Sequence, residues 1–489
     1  MTTTAPAAPA DGTRRVPGHF IAGQWVTPQR PARLPVHDSN TGAVLGDAPD
    51  GTAEEVEAAV AAAAVAQRGW AATPPAERAA ALRAVADQLE ARLDELAETI
   101  AREVGSVAGV ARGPQVHAPL INLRSAADIA EGYAYRSELG PTLIAREPVG
   151  VVGAITAWNF PLHLVTVKAA HAMAAGNTVV VKPSEVAPLS IGILCEAAAA
   201  AGLPPGVLNV VFGTGPEAGE ALVRHPAVRM LTFTGSTRAG RRIGELASKQ
   251  IKKVTLELGG KSPLVVLPSA DLETAVRFGV TDCMLNNGQR CDALTRMIVP
   301  RSALAEVEEL AAGILGGLTV GSSVDEGTDV GPLVSGTQLE RVRGYLATGV
   351  AEGARLLVGG AEPPAVPDDL REGYFVRPSL FSGVDRRMTI AQEEIFGPVL
   401  SLQAYDTVDE AVDLANDTIY GLHSAVYAGT REEALDVAAR MESGMVSVNG
   451  GQLNMQAPFG GYKQSGLGRE FGPFGFDEFL EVKKIEVSA

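Results

Sequence analysis

From residue 149 onward, short apolar runs alternate with longer stretches of helical spacing. Residues 149–157 are apolar almost without a break and read as a buried strand. Residues 161–175 follow as a helix, with Pro161 in its first turn and Gly176 just past its end. Residues 178–181, 207–212, 228–233 and 254–258 read as further strands. Residues 189–201, closed by Gly202, and the stretches 217–224 and 238–248 read as helices between them. Strands alternating with helices of this length predict a parallel sheet covered on both faces. Such a sheet takes ligands beyond the carboxyl ends of its strands.

The flanking sections differ. Residues 19–26 read as one short strand, and 53–70 and 75–112 as Ala-rich helical segments. A second α/β set begins near Ser262. Its helices are predicted over 271–285, 303–315 and 337–352, and its strands over 297–299, 399–402 and 445–448. Residues 363–369 form a Pro- and Asp-rich loop, and 479–487 alternate as a final strand. No internal repeat is visible.

Composition narrows the class. A chain of 489 residues predicts two or three domains. Hydrophobic residues at 46% and charged residues at 20% predict packed globular structure. A formal net charge of −16 argues against a nucleic-acid or anionic-membrane surface, which needs clustered Lys and Arg. Three cysteines, Cys195, Cys283 and Cys291, make no disulfide framework and point to a reducing cytosol. The Ala-, Pro- and Thr-rich start lacks the apolar core of a secretory signal and reads as a frayed tail. No apolar run reaches the ~18 residues that a membrane helix needs.

Several short runs carry candidate chemistry. Gly235-Ser236-Thr237-Arg238-Ala239-Gly240 follows a predicted strand and opens a predicted helix. It is either a pyrophosphate cradle or a plain strand-to-helix turn. Lys182-Pro183-Ser184-Glu185 ends another strand, where a carboxylate can accept from ribose hydroxyls or simply sit in solvent. Asn159, in Trp158-Asn159-Phe160-Pro161, either caps the following helix or points its amide at a developing oxyanion. Cys195 and Cys283 lie in helix-like apolar segments and read as packing residues. Cys291 instead follows Gly288 and Gln289, where a turn could expose sulfur. Glu257 lies among apolar neighbours at a strand end, where burial would raise its pKa toward a useful base. The alternative for Glu257 is a structural pairing with Lys252, Lys253 or Lys261. None of the seven histidines stands at metal-ligand spacing; His163 and His171 read as packing or surface residues of one helix. There is no Walker A run and no Gly-x-Ser-x-Gly elbow.

Together these runs resemble the aldehyde dehydrogenase superfamily from about residue 19 to 487. The resemblance rests on the runs at Trp158, Lys182 and Gly235 and on four more: Glu257-Leu258-Gly259-Gly260-Lys261, Gly288-Gln289-Arg290-Cys291, Glu393-Glu394-Ile395-Phe396-Gly397-Pro398 and Pro458-Phe459-Gly460-Gly461. It implies a Rossmann-like doubly wound parallel sheet, a second α/β catalytic domain and a small β oligomerisation element. The implied division is a flexible tail over 1–18, a cofactor domain over 19–130 and 147–257, a catalytic domain over 258–450, and the oligomerisation element over 131–146 and 470–489. The implied activity is NAD(P)-dependent oxidation of an aldehyde to an acid, with the product acid released by hydrolysis. Cys291 resembles the nucleophile, Asn159 with the Cys291 N–H the oxyanion hole, and Glu257 the base. This family context favours the oxyanion reading of Asn159 over the cap.

Lys182 and Glu185 resemble adenosine-ribose contacts. Gly215, Gly235 and Ser236 resemble the surroundings of the diphosphate and adenine. Glu394 and Phe396 resemble nicotinamide-end contacts, with Thr156, Trp158, Ser184 and Leu258 along the same cofactor path. Glu185 favours NAD over NADP by charge, with NADP left open. Phe160, His163, Leu164, Val167, Arg290, Asp292 and Phe459 resemble the border of a substrate tunnel. No metal site is implied; a homodimer or homotetramer is.

The sequence departs from the family at three places. Cys283-Met284-Leu285 stands where many relatives carry a Phe, and Arg290 and Asp292 flank the nucleophile where small or apolar residues are usual. Arg290 either selects carboxylate-bearing aldehydes or points away into a structural salt bridge. Two other functions compete: a CoA-acylating semialdehyde dehydrogenase, which usually lacks the base that Glu257 supplies, and a catalytically silent relative.

Overall fold

The computed structural model describes residues 13–487, so the first twelve residues of the expected tail lie outside the described residues. Val151–Ile155, Thr178–Lys182, Leu208–Val210, Val228–Thr234 and Lys253–Glu257 form a parallel core of one eight-stranded sheet. Val151–Ile155 lies at its middle. The chain runs outward through 178 and 208 on one side, then returns to 228 and 253 on the other. The switch in direction falls between Val151–Ile155 and Val228–Thr234, and a crevice opens there at the carboxyl edge.

Both faces are buried, which explains the unbroken apolar runs. Successive side chains of a strand point to opposite faces. Val152, Ala154, Val179 and Val181 therefore enter one core, with helices Pro75–Glu90, Val116–Gly132, Pro161–Ala174 and Leu189–Ala200. Val151, Ile155 and Val180 enter the other, with Ala53–Ala72 and Thr237–Ser248. A wholly buried Val side chain contributes roughly 2 kcal/mol relative to exposure.

The edges hold what periodicity did not predict. Residues 19–26 are a hairpin, His19–Ile21 and Gln24–Val26, because Ala22 and Gly23 adopt φ of 52° and 79° and turn the chain. This hairpin pairs antiparallel with Leu208–Val210. At the far edge, Gly466–Leu467 pairs antiparallel with Lys253–Glu257, so the chain returns to the first sheet after leaving the second. The segment 75–112 is not one helix. Leu93–Val104 closes on Gly105 at φ 84°, and Pro114 lies in a wide turn beyond it. Residues 14–15 are not a loose tail: Arg14–Arg15 pairs with Val44–Pro49 and Val16 is buried.

The second sheet has seven strands. In spatial order they are Arg355–Val358, Ser379–Ser382, Val399–Tyr405, Arg296–Pro300, Pro263–Val266, His423–Tyr427 and Met445–Val448. All neighbours are parallel except the first pair. Arg136–Leu139, Thr142–Pro148 and Leu480–Glu486 form a separate antiparallel sheet. Among the described residues, no helix is long and apolar enough to cross a membrane.

Candidate active site

The carboxyl ends of four adjacent strands meet at the crevice. Thr156 to Phe160 leave Val151–Ile155, Pro183 to Glu185 leave Thr178–Lys182, Gly235 and Ser236 leave Val228–Thr234, and Leu258 to Gly260 leave Lys253–Glu257. Ser236 caps the helix Thr237–Ser248 and accepts from the Ala239 N–H. That helix start presents free N–H groups and a partial positive charge toward the crevice. Gly215 opens the turn Gly215–Gly219, whose Gly219 lies against the Lys182 stem. Lys182 Nζ donates to Glu185 Oε2 at 2.9 Å. Burial works to raise the Glu185 pKa, but Lys182 and backbone N–H groups outweigh it, and the carboxyl is held below its usual range. Thr156 Oγ1 and Thr234 Oγ1 are buried with no protein partner, while Ser184 Oγ accepts from the Val186 N–H.

Cys291 sits half-buried at the end of an unusual turn. Asn286, Asn287 and Gly288 adopt φ of 53°, 59° and 70°, three left-handed residues in succession. Asn tolerates this region because its side chain makes local polar contacts, and here those contacts anchor the turn. Asn286 Nδ2 donates to the Asn159 carbonyl at 3.1 Å, and Asn287 Nδ2 to the carbonyls of Gly105 and Pro332 at 2.7 and 2.9 Å. Gly288 cannot be replaced, since a Cβ would lie 2.2 Å from the Gly397 carbonyl group. Sequence reasoning passed over the Asn-Asn-Gly run, although three such residues together are themselves a signal for positive φ.

Asn159 does not cap its helix. The N-cap of Pro161–Ala174 is Phe160, with no side-chain cap bond. Asn159 Nδ2 instead donates to the Gln289 carbonyl at 3.0 Å, which commits one amide hydrogen and leaves the other for the crevice. Gln115 Nε2 donates to the Asn159 carbonyl at 2.8 Å and fixes the backbone.

Glu257 is 5% exposed, and its Oε2 has no partner. The pairing with Lys252, Lys253 or Lys261 does not form. Lys252 donates to the carbonyls of Val223 and His225, Lys253 pairs with Glu478, and the buried Lys261 Nζ has no protein partner. Oε1 rests where a Cβ on Gly460 would come within 2.7 Å, so only a glycine fits there. Burial raises the Glu257 pKa well above its usual value, and Glu470 adds to this. Lys168 and Arg469 act the other way. Lys168 and Glu470, paired in the interior behind Glu257, carried no signal in local sequence. Burial likewise raises the Cys291 thiol, with Asp292, Glu257 and Glu394 adding to it.

Glu394 Oε1 accepts from the Gly260 N–H at 2.8 Å, and burial pushes its pKa up to about 7. Phe396, at φ 65°, meets Trp158 edge-on with ring centroids 5.3 Å apart. On the opposite wall His163 lies between Phe160 and Phe471, with centroids 6.3 and 5.7 Å away, and Phe471 meets Phe459 at a tilt of 50°, centroids 5.1 Å apart. Leu164 is half-buried beside them. Val167, which the resemblance sets on the tunnel border, is 2% exposed.

Arg290 takes the structural alternative. Its Nε and Nη2 each donate to Asp292 at 3.0 Å, while Nη1 reaches Asp282 at 3.2 Å. Asp282 also accepts from the Leu294 N–H at 2.9 Å. The two residues flanking Cys291 are thus bound to one another. Burial works to raise the Asp292 pKa, but Arg290 outweighs it and the net shift is down.

A half-buried thiol, an uncommitted amide hydrogen and a buried carboxyl with an unpartnered oxygen lie at the mouth of the doubly wound sheet. The aldehyde dehydrogenase family model matches residues 25–485, and the chain belongs to that family. It is 46% identical to a 3-succinoylsemialdehyde-pyridine dehydrogenase of Pseudomonas sp over 467 residues, 95% of this chain and 97% of that one. A structure of aldehyde dehydrogenase C from Pseudomonas syringae, a cysteine-to-alanine mutant complexed with NAD+ and octanal, superposes with a TM-score of 0.94 at 44% identity. It covers 99% of this chain and 98% of that chain. A Mycobacterium tuberculosis aldehyde dehydrogenase complexed with NAD+ gives a TM-score of 0.94 at 39% identity, covering 97% and 99%.

Proposed function

We propose that the protein oxidises aldehydes to carboxylic acids with NAD, through a thioester on Cys291. The observation that carries this is the grouping around one sulfur. Asn159 brings an uncommitted N–H, and Glu257 brings a buried carboxyl with an unpartnered oxygen.

The crevice suits a dinucleotide. The helix start at Ser236 and the turn at Gly215 offer N–H groups to a diphosphate, Lys182 and Glu185 offer donors and acceptors to a ribose, and the unpartnered Thr156 and Thr234 hydroxyls lie on the same edge. Glu394 and Phe396 stand at the nicotinamide end, with Trp158 and Leu258 along the wall. When bound, NAD supplies the hydride acceptor.

Cys291 gives its proton up to solvent and attacks the aldehyde carbon as the thiolate, giving the anion of a thiohemiacetal. The oxyanion takes hydrogen bonds from Asn159 Nδ2 and the Cys291 N–H. Departure of hydride leaves a thioester on sulfur. Glu257, its pKa raised by burial, takes a proton from water as that water attacks the thioester carbon. The acid leaves and the thiol is restored. Glu257 supplies the hydrolytic base, which speaks against the CoA-acylating alternative. An intact Cys291, Asn159 and Glu257 speak against a silent relative.

The same reading places the enzyme in the cytosol, with its three cysteines free. It assembles as a homo-oligomer through the sheet of Arg136–Leu139, Thr142–Pro148 and Leu480–Glu486, where Leu139 and Val482 stand 73% and 68% exposed. The relatives' substrates, octanal in one complex and a pyridine-bearing semialdehyde in one name, suggest an aldehyde with an apolar body.

A panel of aliphatic, aromatic and carboxylated aldehydes, run with NAD and with NADP and followed at the absorbance of the reduced cofactor, tests the reading. Cys291→Ser should abolish turnover by roughly 10³-fold or more. Acid quenching during turnover should trap an acyl adduct on Cys291. Product formation in the Ser variant at an undiminished rate would discard the mechanism.

A further inference from the structure

His163 projects from the first turn of Pro161–Ala174 into the aromatic wall and remains half-exposed there. Its protonation pattern follows from its neighbours. Asn122, 2% exposed in the helix Val116–Gly132, turns one side-chain atom toward three groups: His163 Nδ1 at 3.0 Å, the His163 carbonyl at 3.3 Å and Thr166 Oγ1 at 3.0 Å. The carbonyl can only accept. Thr166 Oγ1 spends its proton on the carbonyls of Leu162 and His163, so it also accepts. The Asn122 atom is therefore the NH₂ nitrogen, and His163 Nδ1 must accept from it. The ring proton then sits on Nε2, which makes no hydrogen bond with any described residue.

The imidazole is neutral at physiological pH: burial, aided by Lys168, pushes its pKa down to about 4. The other ring side chains of this wall, Phe160, Phe459 and Phe471, have no polar atom to offer, and Asp292 beside them is engaged by Arg290. Both nearby cations are already engaged, Arg290 with Asp282 and Asp292, and Lys168 with Glu470. A carboxylate entering this wall would lose its hydration with no cation to replace it.

We propose that His163 is a specificity-determining residue of the tunnel, its Nε2–H selecting aldehydes that carry a neutral hydrogen-bond acceptor, a ketone oxygen or a pyridine-type nitrogen, on an apolar body. This rests on the reading of Cys291 as the site of aldehyde oxidation. An aldehyde lacking the acceptor would leave the donor unsatisfied, and a site built to hydrogen-bond its substrate discriminates strongly against the analogue that cannot.

The test compares kcat/KM, with NAD, for two pairs of matched shape. One is 3-(pyridin-3-yl)propanal against 3-phenylpropanal; the other is 4-oxo-4-phenylbutanal against 4-phenylbutanal. Succinic semialdehyde is the charged probe. At least one pair should favour the acceptor-bearing aldehyde by roughly tenfold or more, and succinic semialdehyde should be the poorest substrate. In His163→Phe and His163→Leu the favoured ratio should fall to about one. The readout is a ratio within each variant, so a general change in tunnel fit cancels. Ratios near one in the unaltered protein, a ratio that survives both substitutions, or a preference for succinic semialdehyde would overturn the inference while leaving aldehyde oxidation intact. Absence of turnover with every aldehyde, the phenyl compounds included, would overturn the parent reading and this one with it.

Discussion

The two sides of the crevice are built in opposite ways. The sheet-edge side comes from consecutive strand ends, each continuous in sequence: Thr156 to Asn159, Lys182 to Glu185, Thr234 to Ser236 and Glu257 to Gly260. The opposite wall is gathered one residue at a time. Asn122 comes from one helix, His163 from another, Asp292 from the turn after the nucleophile, and Phe459 and Phe471 from the returning chain. A surface made by backbone at strand ends tolerates little variation, because its geometry is that of the sheet. A wall made by single side chains can change shape by substitution while the sheet stays put. The proposed function draws Asn159 and Glu257 from the first side, and the proposed choice of substrate rests on the second.

The contrast breaks most sharply at the base. Glu257→Gln should reduce steady-state turnover by roughly 10²- to 10⁴-fold. A burst of about one reduced cofactor per site should remain, because thioester formation does not need the carboxylate to activate water. Loss of the burst along with turnover would move Glu257 into the first chemical step. The Lys168 and Glu470 charges behind it act on its pKa in opposite directions, after burial. Removing the cation in Lys168→Met should raise the Glu257 pKa further and shift the acid limb of kcat to higher pH. Glu470→Gln removes a repelling carboxylate and should shift the limb to lower pH. Shifts of equal sign would show that the pair acts through packing alone.

Next in size is the clamp around Cys291. Arg290→Leu strands Asp282 and Asp292 in a poorly solvated setting and should cost about 3 kcal/mol of stability, seen as a lower thermal midpoint. The Asp292 pKa is depressed in the fold. Its contribution is therefore full above the unfolded carboxyl range, about pH 4, and is lost as pH falls through the folded value. The variant's deficit should shrink in acid; a deficit independent of pH would assign it to lost packing. Glu185→Gln should shift the NAD-to-NADP preference by about tenfold toward NADP, measured as a ratio of kcat/KM. The smallest effect on the site belongs to Leu139→Glu with Val482→Glu. It should shift the size-exclusion profile toward monomer and change monomer stability by no more than roughly 0.5 kcal/mol.

Much of this was legible before the fold. The parallel sheet followed from apolar runs such as 149–157, since a strand buried on both faces has no polar side to interrupt it. Cys291 and Glu257 stood out because each occurs in a Gly-containing turn with a specific physical use. The cap reading of Asn159 failed locally because capping depends on where the side chain points. Here the Gln289 carbonyl, 130 residues away in sequence, takes its donor.

By itself the sequence determined the alternation of strand and helix, the thiol and carboxyl chemistry, and the family. Those properties reside in short contiguous runs, where local sterics and hydrogen-bonding capacity decide the outcome. Only the tertiary structure decided that Arg290 is spent on Asp282 and Asp292, that Lys168 and Glu470 stand behind Glu257, and that Asn122 leaves the His163 proton on Nε2. Each is a pairing between side chains brought together by packing, and its energy depends on distance and burial that no local run encodes.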